Sequence, residues 1–246
     1  MSDTKNKVAI VTGASRGIGA AIAERLGRDG FTVIVNYAGN AAMANAVVAR
    51  IEAAGGSALS AQADVADPAA VKRMFDAAED AFGGVDVLIN NAGIMALSPL
   101  AATEDADFDK IVSVNLKGTF NTLREAGRRL RDNGRIINFS TSVVGLKLEN
   151  YSVYAATKAA VETLTAIMAK EMRGRNITVN AVAPGPTATD LFLDGKSEEL
   201  IARMAKMSPL ERLGTPEDIA NAVAFLAGPD SAWVNGQTLR TNGGII

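Results

Sequence analysis

The sequence predicts a three-layer α/β fold in which a doubly wound parallel sheet is covered by helices on both faces. Short apolar runs rich in β-branched residues alternate with longer helical patterns along nearly the whole chain, which is the pattern of a parallel sheet with crossover helices. No internal repeat or low-complexity linker divides the 246 residues, and a chain of this length can bury one large core. We therefore expect a single domain over residues 1–246, without a separate substrate domain.

Composition excludes several kinds of chemistry. The chain has no cysteine and no histidine, so it has no disulfide, no thiolate nucleophile and no imidazole base, and we assign no metal site. The formal net charge of −2 argues against a nucleic-acid partner. The N-terminus is polar and no apolar run reaches the length of a membrane span, so we expect a soluble, cytoplasmic protein.

The first strand and helix enclose a glycine-rich turn. Residues 7–12 are a short β-branched run that predicts a buried strand, and the pattern over residues 20–28 predicts a helix. Between them lie Gly13, Gly17 and Gly19, where glycines permit a tight turn, approach of a pyrophosphate and close packing of helix on strand. The helix N-terminus offers free N–H groups to an anion. This unit predicts a dinucleotide-binding site.

Two motifs also carry a resemblance to a known family. Residues 12–19 read Thr-Gly-x3-Gly-x-Gly, and residues 90–93 read Asn-Asn-Ala-Gly. With these motifs the chain resembles the short-chain dehydrogenase/reductase family, and the likeness extends through nearly the whole chain. The resemblance implies one Rossmann-type domain with seven strands and an oxidoreductase activity. It also implies cofactor contacts by these motif residues: Gly13, Ser15, Arg16, Gly17, Ile18, Gly19, Asn91, Ala92 and Gly93.

The end of the second predicted strand, residues 31–36, bears on the choice of cofactor. NAD-binding folds usually place a carboxylate there for the ribose hydroxyl, whereas this chain continues Asn36-Tyr-Ala-Gly-Asn. The missing carboxylate removes repulsion against a 2′-phosphate, and Arg16 offers a planar cation that can bind one. In the family resembled, an arginine at this position is typical of NADP(H)-preferring members. We predict NADP(H) in preference to NAD(H), with Asn36 among the cofactor-binding residues.

The alternation of helices and strands continues through the middle of the chain. The next predicted elements are a helix, a strand, a helix and a strand, over residues 40–55, 57–63, 67–81 and 85–89. The first helix ends at a glycine pair, and the second begins at Asp67-Pro68, a favourable N-cap followed by a favourable first residue. The resemblance places Asp64 and Val65, which follow the third strand, beside the adenine ring.

A tyrosine and a lysine stand four residues apart in a segment predicted to be helical. Residues 154–172 are rich in strong helix formers, so Tyr154 and Lys158 would lie on one face. A nearby cation favours the phenolate and should lower the pKa of the phenol from about 10 toward the range useful for acid–base catalysis. The resemblance implies that Tyr154 donates the catalytic proton and that Lys158 binds the nicotinamide ribose. It further implies that Asn115, in a predicted helix over residues 108–130, holds a water linked to this lysine.

The fifth predicted strand, residues 135–139, is followed by Ser140, Thr141 and Ser142. The resemblance requires one hydroxyl here to hydrogen-bond the substrate carbonyl beside Tyr154. The family's common interval of 13 residues before the tyrosine selects Thr141, whereas the local Ser-x-x-Gly pattern selects Ser142. We prefer Ser142, because loops absorb single-residue length changes more easily than a specific turn does, and Thr141 stays open as the alternative.

The last third of the chain is predicted to form two strands, a turn beside the cofactor and a flap over the substrate. Predicted strands cover residues 177–183 and 237–240, with a capped helix between them over residues 215–226. A Pro-Gly turn follows the first of these strands. The resemblance makes residues 187–213 a mobile helical flap over the substrate. It places these residues beside the nicotinamide: Pro184, Gly185, Thr187 and Thr189.

Together these residues predict an NADPH-dependent carbonyl reductase or alcohol dehydrogenase. The resemblance also allows a 3-oxoacyl-[acyl-carrier-protein] reductase: Arg175 lies where those enzymes place a basic residue for the acidic carrier protein, although Asp132 stands where a second arginine is expected. A non-catalytic NADPH-binding regulator would not need the four catalytic groups. An epimerase or dehydratase of related fold would need a further acid or base, such as Glu149. Tyr151 is not assigned as the catalytic phenol, because the residue one turn beyond it is an alanine.

The helix that begins at Tyr154 also bears on assembly. Its apolar side chains, added to many alanines, leave little polar surface, and a helix that is apolar nearly all round needs cover on both sides. The larger of these side chains are Val161, Leu164, Ile167, Met168 and Met172. In the family resembled that cover is another subunit, so we predict a homotetramer.

Overall fold

The computed structural model describes residues 7–246. Within this range the sheet has seven strands, all paired in parallel, in the order β3-β2-β1-β4-β5-β6-β7. They are β1 Val8–Val11, β2 Thr32–Tyr37, β3 Ser57–Gln62, β4 Val85–Asn90, β5 Leu130–Phe139, β6 Thr178–Pro184 and β7 Thr238–Thr241. The strand order reverses between β1 and β4, so a crevice opens at their carboxyl ends, where ligands bind in such sheets. The predicted doubly wound parallel sheet is confirmed.

The α-helices follow the predicted alternation. They are α1 Gly17–Arg28, α2 Ala41–Ala53, α3 Pro68–Phe82, α4 Asp105–Ile111, α5 Gly118–Arg129, α6 Val143–Leu146, α7 Ser152–Glu171, α8 Asp190–Leu193, α9 Glu198–Lys206 and α10 Pro216–Ala227. Capping side chains stabilise the N-termini of α3 and α10, as predicted. Asp67 accepts a hydrogen bond from the Ala69 N–H, and Thr215 and Asp218 form a reciprocal capping box. No helix within residues 7–246 combines the length and apolarity needed to cross a bilayer.

The core consists of two apolar layers, one on each face of the sheet. On one face, Leu26 of α1 and Val223 of α10 pack against the strands. On the other face, Phe75 of α3, Leu123 of α5 and Met168 of α7 do the same. Because both faces are covered, strands β1, β2, β4 and β6 are buried over almost their whole length, as parallel strands usually are, whereas the edge strands β3 and β7 are more exposed.

The predicted helix over residues 108–130 is divided into three pieces. Between α4 and α5 the segment Val112–Lys117 is π-helical. A π segment is wider than an α-helix and frequently marks a functional site. Asn115 lies in it and is fully buried. The single helical period of the sequence did not indicate this irregularity.

Helix α7 has apolar residues on its inner and its outer face, which agrees with the prediction that it is apolar nearly all round. Val161 and Met168 are buried, and Leu164 and Met172 pack against the same core. These four side chains recur at helical spacing and form the single face that covers the sheet. Only Ile167 of the five apolar residues points largely outward, with 49% of its surface exposed. The exposed residues Ala156, Ala166 and Ile167 leave a largely apolar outer face on α7, and its contact with another subunit stays a prediction.

Candidate active site

The glycine turn packs directly against the end of β4. Gly13 has a left-handed φ of +62°, and a β-carbon there would lie 2.9 Å from the Ala92 Cα, so only glycine fits. At Gly19 a β-carbon would collide with the Gly13 carbonyl oxygen and the Asn91 amide. The turn therefore requires both glycines, as the sequence predicted.

Side-chain hydrogen bonds hold the two signature motifs together. Asn91 Nδ2 donates to the carbonyl oxygens of Thr12 (2.9 Å) and Gly13 (3.1 Å), and Ala92 N donates to Thr12 Oγ1 (3.0 Å). This brings the carboxyl ends of β1 and β4 into one rigid edge. The edge is the floor of a groove that runs along the sheet's switch point.

Most of the residues predicted to bind the cofactor line this groove. They are Gly13, Ser15, Arg16, Gly17, Ile18, Gly19, Asn36, Asp64, Val65, Asn91, Ala92, Gly93 and Thr189. The other five line an adjoining pocket: Tyr154, Lys158, Pro184, Gly185 and Thr187. The groove also includes Tyr37 to Asn40 and Met43, which the sequence analysis did not select. Their position directly after the second predicted strand was the signal that could have identified them as groove residues.

Asn36 has a structural role that the prediction missed. Its Oδ1 accepts from the Gly13 N–H (3.1 Å), and its Nδ2 donates to the carbonyl oxygens of Ala61 (3.2 Å) and Ala63 (3.0 Å). The side chain is 1% exposed. The amide of Asn36 therefore fixes the glycine turn to β2 and β3, and a direct contact between Asn36 and the cofactor stays a prediction.

The side chains of Tyr154 and Lys158 lie on one face of α7, as the four-residue spacing predicted. Lys158 Nζ is 5.9 Å from the centre of the Tyr154 ring and donates to the Phe139 carbonyl oxygen (2.9 Å). Lys158 is 4% exposed. Both side chains line the pocket at the end of the cofactor groove.

The predicted direction of the Tyr154 pKa shift is wrong in this structure. Burial raises the pKa of the Tyr154 phenol to about 12, although a hydrogen bond with Thr141 opposes the shift. Burial also lowers the pKa of Lys158 to about 8. Desolvation disfavours the charged form of each group, and at Tyr154 it outweighs the effect of the Thr141 hydroxyl. Near neutral pH Tyr154 therefore holds its proton, which is the form a proton donor needs.

The structure brings Thr141, and not Ser142, to the phenol. The Thr141 side chain hydrogen-bonds Tyr154. Ser142 Oγ instead donates to the Ala183 carbonyl oxygen (3.3 Å) and accepts from Asn242 Nδ2 (3.0 Å). Our preference for Ser142 is therefore wrong, because successive residues after a strand point in different directions and Ser142 faces the β6–β7 side.

The third hydroxyl in this row is structural. Ser140 Oγ donates to Glu162 Oε1 on α7 at 2.5 Å, and Ser140 is 3% exposed. The interval of 13 residues between Thr141 and Tyr154 pointed to the hydroxyl that lies beside the phenol, and the catalytic role of Thr141 stays a prediction.

Asn115 lies near Lys158, but the side-chain amide of Asn115 already has hydrogen-bond partners. Its Oδ1 accepts from Ile94 N (2.8 Å) and its Nδ2 donates to Ile94 O (2.9 Å). A β-carbon at Gly93 would lie 3.3 Å from Asn115 Oδ1 and 3.4 Å from Lys158 Nζ, so both side chains approach the same side of Gly93. Asn115 thus positions the segment after Gly93, and its role in holding a water stays a prediction.

The segment after β6 closes one side of the site. Thr187 Oγ1 donates to the Gly185 carbonyl oxygen (2.9 Å), and Thr189 accepts from Phe192 N (3.4 Å) as the N-cap of α8. The Thr189 Cγ2 is 3.6 Å from the position of a β-carbon at Gly17, so this segment meets the glycine turn. Helices α8 and α9 lie within the predicted flap, and its mobility stays a prediction.

The pocket beside Tyr154 is mainly apolar. Its apolar side chains come from the loop after β4, from the α6–α7 region, from the flap and from the C-terminal segment. They include Met95, Val143, Leu146, Leu148, Leu191, Phe192, Met204, Met207 and Ile245. A pocket with such walls and a few polar groups at one end is typical of a small-molecule site.

Arg175 does not present a free basic surface. Its Nε is 2.9 Å from Asp132 Oδ1, and its other guanidinium nitrogens donate to the carbonyl oxygens of Gly127 (2.7 Å) and Leu130. The acid that stood out in the sequence, Asp132, is thus the ion-pair partner of Arg175. This arrangement fixes the end of α5 to the turn before β6.

Fold and groove together define a Rossmann-type nucleotide-binding protein with a tyrosine–lysine pair at the end of its cofactor groove. A family model described as enoyl-(acyl carrier protein) reductase matches residues 13–246. The chain belongs to the short-chain dehydrogenase/reductase family, whose members are oxidoreductases of carbonyl and alcohol groups.

Similar proteins span nearly the whole chain. An NADPH-dependent aldehyde reductase-like chloroplastic protein of Arabidopsis thaliana is 45% identical, covering 98% of this chain and 94% of its own length. The 3-oxoacyl-[acyl-carrier-protein] reductase FabG of Staphylococcus aureus is 44% identical, with 97% and 98% covered. The structure of a short-chain dehydrogenase from Burkholderia cenocepacia in complex with NADP has a TM-score of 0.93 at 40% identity, with 98% of each chain covered.

Proposed function

We propose that this protein is an NADPH-dependent carbonyl reductase in which Tyr154 donates the proton. The observation that carries the proposal is the position of the Tyr154 and Lys158 side chains, on one helical face where the glycine-lined groove meets an apolar pocket. Relatives described as an NADPH-dependent aldehyde reductase-like protein and as a dehydrogenase in complex with NADP support the choice of cofactor and reaction.

The residues present fit a dinucleotide cofactor. The backbone around Gly13 and Gly17 takes left-handed conformations that leave room for a pyrophosphate at the start of α1. Asp64 and Val65 would border the adenine, Lys158 the nicotinamide ribose, and Thr187 and Thr189 the carboxamide. When bound, the cofactor supplies hydride to the carbonyl carbon.

Tyr154 and Thr141 would hold the substrate oxygen between their hydroxyls. As negative charge develops on that oxygen, both hydroxyls donate to it, which is the stabilisation that an oxyanion site provides. The Tyr154 proton then moves to the oxygen, because an alkoxide is a stronger base than a phenolate. The Lys158 ammonium stabilises the phenolate that is left, and a proton from solvent restores the phenol, with Asn115 and a water on the proposed route.

Consumption of NADPH in the presence of simple ketones, aldehydes and a 3-oxoacyl thioester tests the proposed function. We expect oxidation of NADPH with neutral carbonyl compounds and formation of the matching alcohol. Tight NADPH binding without turnover of any compound in the panel would contradict the proposal and favour a non-catalytic regulator.

Arg16→Ala is expected to reduce the preference for NADPH over NADH. Arg16 is exposed, lines the groove beside the residues after β2, and forms no salt bridge with any residue from 7 to 246. Its guanidinium is therefore available to a 2′-phosphate, and a charged hydrogen bond contributes about 1–3 kcal/mol. The measurement is the ratio of kcat/KM for the two cofactors. A ratio equal to that of the unmodified protein would contradict the phosphate-binding role.

We expect the rate of carbonyl reduction to fall as the pH rises through about 8, the pKa to which burial lowers Lys158. Below that pH the Lys158 ammonium is charged and stabilises the phenolate that forms when Tyr154 gives up its proton. Above that pH Lys158 is neutral and this stabilisation is lost. Tyr154, with a pKa raised to about 12, keeps its proton throughout. The measurement is kcat with NADPH across the neutral and alkaline range. A decrease of kcat at the same pH in a Lys158→Met variant would contradict the attribution of this pH dependence to Lys158.

A second candidate is 3-oxoacyl-[acyl-carrier-protein] reductase, which the similarity to the Staphylococcus aureus protein favours. The contacts of Arg175 weigh against it, since its guanidinium is taken up by Asp132 and backbone carbonyls. A clear kcat/KM preference for the 3-oxoacyl thioester in the same panel would favour this candidate.

We propose, as a separate property, that the protein assembles as a homotetramer. The support comes from exposed apolar side chains on three helices, including the outer face of α7: Phe108 of α4, Phe120 of α5 and Ile167 of α7 are each nearly half exposed. Exposed apolar side chains that form a contiguous patch mark an interaction surface. A monomer mass in solution at micromolar concentration would contradict the proposal.

A further inference from the structure

The charge of the substrate pocket restricts the substrate. Lys158 is the one charged side chain on the pocket wall within the described range, and its ammonium donates to the Phe139 carbonyl oxygen. A substrate carboxylate or phosphate held against the flap or against α6 would lose its hydration without gaining an opposite charge, which is costly. The pocket therefore favours an uncharged and largely apolar substrate.

Most polar side chains of the pocket are already occupied by other protein groups. Ser140 donates to Glu162, Ser142 donates to the Ala183 carbonyl oxygen, and Thr187 donates to the Gly185 carbonyl oxygen. Thr189 caps α8 and Asn91 fixes the glycine turn. Thr141, Tyr154 and Lys158 belong to the reacting group. Among the described residues of the pocket wall, this leaves Tyr151 as the one other polar side chain.

Tyr151 is placed to contact the same molecule as Tyr154. It is the N-cap residue of α7, one turn before Tyr154, and the two rings meet edge to face with centroids 6.4 Å apart. Within residues 7–246 its hydroxyl has no hydrogen-bond partner. Burial raises the pKa of Tyr151, so the hydroxyl keeps its proton and can donate. An unpaired donor at the apolar end of the site would gain a partner from the substrate.

We propose that Tyr151 is a specificity-determining residue that donates a hydrogen bond to a second, uncharged oxygen close to the carbonyl of an apolar ketone. This inference rests on the proposed carbonyl reductase function. It makes the substrate class a neutral ketone with a neighbouring ester, ketone, ether or hydroxyl oxygen. The three polar contacts would then be Thr141 and Tyr154 on the reacting oxygen and Tyr151 on the second oxygen.

The test compares Tyr151→Phe with the unmodified protein on two neutral substrates of similar size. Ethyl benzoylformate has an ester oxygen beside its ketone, and propiophenone has none. We expect the variant to lose about tenfold in kcat/KM on the ester, the effect of one lost hydrogen bond, and to be nearly unchanged on propiophenone. Each ratio compares two proteins on one substrate, so the intrinsic reactivity of the two ketones cancels.

Leu148→Val is the matched control, because Leu148 lines the same wall and the change alters volume without removing a donor. It should shift both substrates by a similar factor. An equal effect of Tyr151→Phe on the two substrates, or no effect on either, would overturn the proposal. If the unmodified protein oxidises NADPH with neither ketone nor any other carbonyl compound, the proposed function itself has failed.

Discussion

Tyr154→Phe is expected to lower kcat for carbonyl reduction by about 10²- to 10⁴-fold, the usual contribution of general acid catalysis, while NADPH affinity stays nearly unchanged. The substitution removes the proton donor and keeps the ring, which packs edge to face against Tyr151. Lys158, whose Nζ is held by the Phe139 carbonyl oxygen, would still border the cofactor. Steady-state turnover and NADPH binding, measured on the same preparation, separate the two effects.

A folded variant that retains substantial turnover would contradict the proton-donor role. Loss of both turnover and NADPH affinity would instead indicate that the substitution disturbs the groove. Tyr151→Phe makes the same chemical change one turn earlier on the same helix. It should reduce only the rate on substrates with a second oxygen, so comparison of the two variants distinguishes the catalytic phenol from the binding phenol.

Most of the fold could be predicted from the sequence because its signals are local. Buried parallel strands are continuous apolar runs, helix starts carry capping residues such as Asp67 and Thr215, and Gly13 is needed wherever the backbone turns so tightly. The π segment around Asn115 has no such local signal. The π segment packs against α7, a tertiary contact that the helical period of the sequence does not encode.

Within the site, the sequence identified which residues come together but not what each one contacts. The Asn36 position suggested the cofactor, while its amide bonds Gly13, Ala61 and Ala63 across three strands. The pKa of Tyr154 was expected to fall because a cation lies one turn away. It rises because the surrounding chain removes water from the phenol, a tertiary effect that spacing along a helix cannot reveal.

Replacing Thr141 with valine is expected to lower kcat/KM by about 10²- to 10³-fold, the usual effect of removing one oxyanion donor. Valine keeps nearly the same shape, so the fold around Tyr154 should persist. The matched variant Ser142→Ala removes a hydroxyl that bonds Ala183 and Asn242 away from the phenol. It should lower the free energy of unfolding by about 1 kcal/mol with little effect on turnover. Kinetics and denaturant unfolding of both variants measure this contrast. A large catalytic loss in Ser142→Ala with normal turnover in Thr141→Val would reverse the assignment, because only the hydroxyl that reaches the substrate oxygen can stabilise its developing charge.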